Sequence, residues 1–94
     1  MFIDGFIWLP EIVEKLETKH HVSQDEAEEV FFNQPKFGFV ESGHRVGEDV
    51  YSASGQTDSG RYLIVFFIHK ADNAAFVLTT REMDRRERRR YERK

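Results

Sequence analysis

Cysteine is absent from this chain of 94 residues, which excludes disulfide bonds and thiolate ligands for a metal ion. No run of about 18 apolar residues occurs that could span a membrane. The N-terminus lacks the basic and then apolar pattern of a secretion signal. Glycine-rich phosphate loops and nucleophile elbows are also missing. We therefore expect a cytoplasmic protein that uses no cofactor, no metal ion and no membrane.

Positive charge is scarce in the first 60 residues and concentrated at the end of the chain. Residues 1–60 carry 12 acids and 4 bases, whereas residues 61–94 carry 10 bases and 5 acids, which together reproduce the net charge of −3. The isoelectric point is near 5.8, far below the value of about 9 that is typical of domains specialised for duplex DNA. Any contact with nucleic acid must therefore use a local basic patch.

The pattern of apolar residues predicts a single α+β domain over residues 1–94. Pro10 suits the start of a first helix, and a capping box formed by Ser23 and Glu26 begins a second one. Four strands and a last helix follow, so we expect two N-terminal helices, a four-stranded antiparallel meander and a C-terminal helix. The strands are predicted at 36–40, 50–54, 61–69 and 75–80, with the third at the centre and the helix from 81 onward.

The residues outside this core suit RNA cleavage without a metal ion. RNA carries its own nucleophile, the 2′-hydroxyl, so the protein must supply a base, an acid and cations for the charge on the phosphorane. His44 and Glu48 lie in a polar loop; His44 is the candidate acid or base, and Glu48 would orient it or act as the base. Arg61 opens the predicted central strand and Arg81 follows the last one, and both are candidate ligands of the phosphate.

Arg81 has two interpretations that the sequence leaves open. Thr79 and Glu82 have the spacing of a capping box, which would place Arg81 in the first turn of the last helix. Free amide groups attract anions there, so Arg81 would form half of a phosphate site. Alternatively, Arg81 forms a salt bridge with a nearby carboxylate.

The C-terminal helix also has two interpretations. Its acids and arginines fit a solvated helix with ion pairs three or four residues apart, which contribute about 0.2–0.5 kcal/mol each. Alternatively, its basic residues contact RNA directly. The predicted pairs are Glu82–Arg86, Asp84–Arg88, Arg88–Glu92 and Glu87–Arg90.

Taken together, the order and spacing of these pieces resemble the BrnT family of toxins from type II toxin–antitoxin systems. The resemblance covers about residues 6–92 and implies a fold similar to RelE-type ribonuclease toxins. It also implies RNA cleavage that arrests translation, neutralisation by a DNA-binding antitoxin of BrnA type, and repression of the operon by the complex. The matching pieces are Trp8, the Lys-His-x-Val-Ser turn at 19–23, His44 with Glu48, the apolar strand from Arg61, Arg81, and the Arg-Glu-Arg-x-x-Tyr helix at 86–91.

Our hypothesis from the sequence is a metal-independent ribonuclease toxin with four catalytic residues, His44, Glu48, Arg61 and Arg81. The expected partners are RNA, a BrnA-like antitoxin, and operator DNA only through the antitoxin complex. The alternative is a non-catalytic interaction protein whose basic C-terminal helix docks an acidic partner or the antitoxin. The candidate RNA-binding residues are Lys19, His20, Arg85, Arg88, Arg89 and Tyr91.

Overall fold

A computed structural model describes residues 1–93 and contains one five-stranded sheet with helices on both faces. Lys94, the last of the predicted basic residues, lies outside the described residues. The predicted α+β class is confirmed, and the strand predicted at the centre lies at the centre of the sheet. The strands, in the spatial order β1-β5-β4-β3-β2, are β1 Gly5–Ile7, β2 Lys36–Glu41, β3 Val50–Gln56, β4 Tyr62–His69 and β5 Ala74–Glu82.

The prediction of a four-stranded antiparallel meander is wrong in one respect. A fifth strand, β1, pairs in parallel with β5, with Gly5 opposite Ala74, while the other three pairings are antiparallel. Since β1 has only three residues, it is too short to show an alternating pattern in the sequence. Its parallel partner lies about 70 residues later in the chain, a pairing that local periodicity cannot reveal.

The helices lie where local sequence signals put them, except at the C-terminus. The predicted capping box of α2 is confirmed, since Ser23 Oγ accepts from the Glu26 amide and the Glu26 carboxylate accepts from the Ser23 amide. Within residues 1–93, no helix is long and apolar enough to cross a membrane. The bounds are α1 Pro10–Lys15, continued by a π-helical turn Leu16–His20, α2 Gln24–Phe32, and α3 Arg85–Glu92.

The last helix begins later than predicted. The predicted capping box of Thr79 and Glu82 does not form, because β5 continues to pair with β4 as far as Glu82. Asp84 caps α3 instead, and Glu87 completes the capping box. Arg81 therefore lies on a strand, and the prediction that it occupies the first turn of a helix is wrong.

The hydrophobic core lies between the sheet and the layer formed by α1 and α2. Phe67 of β4 is fully buried and contacts the rings of Phe31 and Phe37 in edge-on geometry, with centroids 5.2 and 6.1 Å away. Trp8 is half-buried beside this core and donates its indole N–H to Glu28 at 2.8 Å. The fully enclosed residues are Val22, Ala27, Val30, Ala53, Leu63, Val65, Phe67, Ala75 and Val77.

A β-bulge in β5 decides which side chains face each side of the sheet. Phe67 pairs with Val77, but its neighbour Phe66 pairs with Thr79, so Leu78 is an extra residue in the ladder. Such an insertion shifts the alternation of the strand by one residue. Beyond the bulge, Arg81 therefore lies on the face opposite the core, the open face, which α3 covers in part.

Candidate active site and nucleic-acid interface

A cleft of about 280 Å³ lies on the open face, between the sheet and α3. Its floor comes from alternate residues of β2 and β3, which point away from the core. A Cβ at Gly38 would lie 3.1 Å from Ser52 Oγ, so glycine leaves this hydroxyl accessible. The cleft is lined by Lys36, Phe37, Gly38, Ser52, Ser54, Ile64, Glu87, Arg90 and Tyr91.

Arg81 fastens the first turn of α3 to the end of β5. Its guanidinium donates two hydrogen bonds to the Glu87 carboxylate, at 2.7 and 2.9 Å, and lies over the ring of Phe66. The hydrogen bond with Glu87 raises the pKa of Arg81. The same bond lowers the pKa of Glu87 against the opposing effect of burial. The salt-bridge interpretation of Arg81 is therefore confirmed, and Glu87 is an ionised structural carboxylate.

Lys36 fastens the other end of α3. Its ammonium group donates to the backbone carbonyls of Tyr91 and Arg93, at 2.5 and 2.7 Å, and lies 5.3 Å from the centroid of the Tyr91 ring. A cation at this position also complements the negative C-terminal end of the helix dipole. Lys36 is the first residue of the edge strand β2, so its hydrogen bond to Tyr91 joins the end of α3 to this strand and keeps Tyr91 at the border of the cleft.

The outer side of α3 packs on Tyr62. The Arg88 guanidinium stacks on the Tyr62 ring at 3.9 Å, and the Tyr62 hydroxyl lies 3.2 Å from a Glu92 carboxylate oxygen. Tyr91 meets the same ring edge-on, with centroids 6.0 Å apart. No residue of α3 is fully buried, so stacking and charge hold this helix in place.

One of the four predicted ion pairs within the last helix forms, Arg88–Glu92 at 3.8 Å. The prediction of the other three is wrong because Glu82 and Glu87 bind arginines of the sheet, and Asp84 caps the helix. These tertiary contacts leave a group of arginines that form no salt bridge among the described residues, although the charge of one of them, Arg90, helps to lower the pKa of Glu87. They are Arg85, Arg86, Arg89, Arg90 and Arg93.

Arg61 lies on the core-side face of the sheet, where it joins three segments. Its guanidinium donates to Glu26 at 2.9 Å, to Glu82 at 3.2 Å and to the carbonyl of His21 at 2.8 Å. The hydrogen bond with Glu26 raises the pKa of Arg61. The predicted RNA-binding residues Lys19 and His20 immediately precede His21, so the structure brings their turn to Arg61. Because two carboxylates already bind the Arg61 guanidinium, these contacts indicate a structural role for Arg61.

His44 and Glu48 lie at the far end of the sheet from Arg61. Their loop, 41–49, precedes Val50, which pairs with Ile68 near the end of β4, whereas Arg61 precedes the start of β4. Eight strand residues separate the two ends by roughly 23 Å at about 3.3 Å per residue. His44 is exposed, and within residues 1–93 its side chain makes no hydrogen bond or ion pair.

The four predicted catalytic residues therefore do not converge. Arg61 and Arg81 lie near one end of the sheet but on opposite faces, and the loop with His44 and Glu48 lies at the other end. Their catalytic roles stay predictions. Of the predicted RNA-binding set, Arg85, Arg88, Arg89 and Tyr91 share α3, away from Lys19 and His20.

The cleft residues that sequence reasoning missed did leave a signal. Ser52 and Ser54 alternate with Tyr51 and Ala53, which is the pattern of a strand with one polar face. Lys36 and Gly38 alternate with phenylalanines in the same way. No group of three or more histidines or carboxylates lies close enough to hold a metal ion in the part of the chain that the structure describes.

A comparison with known protein families finds one match. The model of the family described as "Ribonuclease toxin, BrnT, of type II toxin-antitoxin system" matches residues 8–87. The matched segment begins directly after β1, includes β2 to β5, and ends inside α3 at Glu87. A comparison with curated proteins finds no match.

Proposed function

The chain belongs to the BrnT family of ribonuclease toxins from type II toxin–antitoxin systems, and on that premise we propose that it cleaves RNA in the cleft beneath α3. The observation that carries the proposal is the juxtaposition of this cleft with arginines that have no carboxylate partner among the described residues. Guanidinium groups bind phosphate through pairs of parallel hydrogen bonds.

The proposed reaction is an attack by the RNA 2′-hydroxyl on the adjacent phosphorus. The new bond joins the 2′-oxygen to phosphorus and the bond to the 5′-oxygen breaks, which leaves a 2′,3′-cyclic phosphate and a 5′-hydroxyl. Arg90 and Lys36 supply positive charge for the phosphorane, and this kind of stabilisation is commonly the largest catalytic contribution. The Tyr91 phenol donates a proton to the leaving oxygen, and the 2′-hydroxyl proton passes to water.

The cleft groups support a metal-independent mechanism through their own chemistry. Two cations border the cleft, and its one carboxylate, Glu87, is already bound to Arg81. A low pKa makes Glu87 a poor general base near neutral pH. We therefore assign Glu87 a positioning role in α3, and the cations act directly on the phosphate.

We further propose that the partner of this toxin is a BrnA-like antitoxin, encoded beside it, and that operator DNA is bound only through the complex of the two. The support is family membership together with the acidic isoelectric point of about 5.8, which disfavours duplex DNA as a direct ligand. The proposed site of action is the cytoplasm, where RNA and ribosomes are found.

The test is RNA cleavage by purified protein and growth arrest on regulated expression, with three variants compared. Tyr91→Phe keeps the ring that stacks on Tyr62, and Arg90→Gln removes one charge; we expect each to lower the cleavage rate by on the order of 10²-fold or more. His44→Gln is expected to cleave at the wild-type rate, with EDTA present throughout. If His44→Gln abolishes cleavage and Tyr91→Phe does not, the active site lies at the loop 41–49 and not in the cleft.

A second candidate function is favoured by one observation. Among the described residues, the cleft is lined by no histidine and by one carboxylate, Glu87, which Arg81 already binds, so these residues offer no evident base for the 2′-hydroxyl proton. This fits a non-catalytic BrnT-like protein whose basic helix docks an acidic partner. An intact RNA pool and normal growth during expression of the unpaired wild-type chain would favour this function.

A further inference from the structure

Four arginines form a continuous row along one side of α3. Arg86, Arg89 and Arg90 follow the spacing i, i+3 and i+4, which places them on one face of α3, and Arg93 follows as the C-cap residue. All four are exposed, and together they border a shallow depression of about 210 Å³. We call this row the arginine stripe. It differs from the RNA-binding set predicted from the sequence, with which it shares only Arg89.

No carboxylate within residues 1–93 forms a salt bridge with the arginine stripe, and each of the four acids in residues 82–92 has another partner. Like charges four residues apart destabilise a helix, and the helical part of the stripe contains one such pair, Arg86–Arg90. An anion laid along the stripe would relieve this repulsion. The acids of the segment and their partners are Glu82 with Arg61, Glu87 with Arg81, Glu92 with Arg88, and Asp84 with the helix N-terminus.

The stripe is continuous with the cleft through one residue. Arg90 lines both the cleft and the depression between the arginines. A strand that leaves the cleft on this side therefore meets the other arginines of the stripe at once. From Arg86 to the C-cap residue Arg93 the distance along the helix axis is about 10.5 Å, at roughly 1.5 Å per residue. This is the length of about three nucleotides of a stacked strand, at roughly 3.4 Å each.

We propose that the arginine stripe is a phosphate-binding track for the RNA strand that enters the cleft, an inference that rests on the function proposed above. Guanidinium groups bind phosphate through two parallel hydrogen bonds, and successive arginines on one helix face match successive phosphates. The track binds single-stranded RNA. Because α3 covers the cleft, a duplex with its bases still paired could not enter the cleft. Stripe residues other than Arg90 bind substrate and take no part in the chemistry.

The experiment compares two double variants that lose equal charge. The stripe variant is Arg86→Gln with Arg89→Gln, which leaves Arg90 and Tyr91 in the cleft. The control is Lys15→Gln with Arg45→Gln, since both residues are exposed and lie outside α3. Binding of a short fluorescent single-stranded RNA is titrated across a salt series, and cleavage is followed in parallel at rising RNA concentrations.

We expect the stripe variant to change binding and the control to leave it unchanged. Each phosphate contact on a single strand contributes about −0.7 to the slope of log affinity against log salt, so the slope should become shallower by about 1.4. The RNA concentration for half-maximal cleavage should rise, while the rate at saturating RNA stays at the wild-type value.

Several outcomes would overturn the inference, and they separate it from the proposed function. If the stripe variant and the control show the same slope of log affinity against log salt, and the wild-type chain cleaves RNA, then the stripe does not bind phosphate and the proposed function is unaffected. Equal displacement of RNA by polyglutamate of the same total charge would assign the stripe to an acidic protein. Duplex RNA that binds with the same slope would contradict the single-strand assignment. Absence of RNA binding by the wild-type chain would overturn both proposals.

Discussion

The salt bridge between Arg81 and Glu87 offers the most direct test of how α3 is held. The double variant and its two single variants, Arg81→Ala and Glu87→Gln, form a thermodynamic cycle. Glutamine is chosen because it can keep the capping-box bond to the Asp84 amide, at 2.9 Å in the wild type, while it removes the charge. The coupling free energy of the cycle then reports the ion pair with little change in capping.

The magnitude follows from geometry and exposure. Two short hydrogen bonds join the pair, at 2.7 and 2.9 Å, but the Arg81 side chain is 38% exposed and that of Glu87 22%. Pairs of this exposure contribute about 0.2–1 kcal/mol, and bidentate geometry puts this one near the upper value. A coupling of about 1 kcal/mol corresponds to roughly 4–8 °C in melting temperature for a domain of this size.

The assay is urea unfolding of the four proteins, paired with RNA cleavage well below their melting temperatures. Because Arg81 positions the helix that carries Arg90 and Tyr91, we expect Arg81→Ala to lower cleavage by on the order of 10²-fold, the effect of about 1 Å of misplacement. Arg81→Lys keeps the charge but not the two-pronged contact, so it should recover only part of both properties. A coupling below about 0.3 kcal/mol, or full cleavage by folded Arg81→Ala protein, would refute this account.

Three further predictions concern stability. Removal of residues 85–94 should leave a cooperative thermal transition at a lower temperature, because α3 has no fully buried residue; loss of the transition would show that α3 is needed for folding. The free energy of unfolding, measured with urea at a series of pH values, should fall below about pH 4.5. Folding lowers the pKa values of Glu26 and Glu87 from 4.5, so the stability that these two carboxylates contribute is lost as the pH falls through their folded pKa values. Constant stability from pH 5 to 3 would contradict this assignment. Thr80→Val should be neutral or stabilising by up to about 1 kcal/mol, because the buried Thr80 hydroxyl has no hydrogen-bond partner among the described residues; a large loss on urea unfolding would mean that a bound water satisfies this hydroxyl.

Much of the fold could be predicted from local patterns. The apolar run 61–69 predicted the central strand because a strand buried on both faces needs apolar side chains at every position. Ser23 and Glu26 predicted the start of α2 because capping involves groups only three residues apart. The pairing of β1 with β5 was not predicted, because the three residues of β1 are too few to show a periodic pattern and β5 is distant in the chain.

The candidate site was harder to predict, because its parts lie far apart in sequence. Lys36 and Tyr91 are separated by 55 residues and meet only because β2 and α3 flank the same face. The same distance problem affected the predicted catalytic set. His44 and Arg61 are closer in sequence, yet β3 lies between them in the chain and separates them to opposite ends of the sheet.

The sequence by itself determined the family, the α+β class, the charge asymmetry and the basic last helix, since these follow from composition, periodicity and short spacings. Only the tertiary structure decided which face of the sheet Arg81 occupies. Without the extra residue at Leu78, strand alternation would have placed Arg81 on the same face as Val77, in the core layer. A bulge forms where two strands pair, so its position depends on the partner strand as well as on the residues of β5. The same pairing extends β5 to Glu82 and places Arg81 where it binds Glu87, while Arg85, Arg86, Arg89, Arg90 and Arg93 form no salt bridge among the described residues.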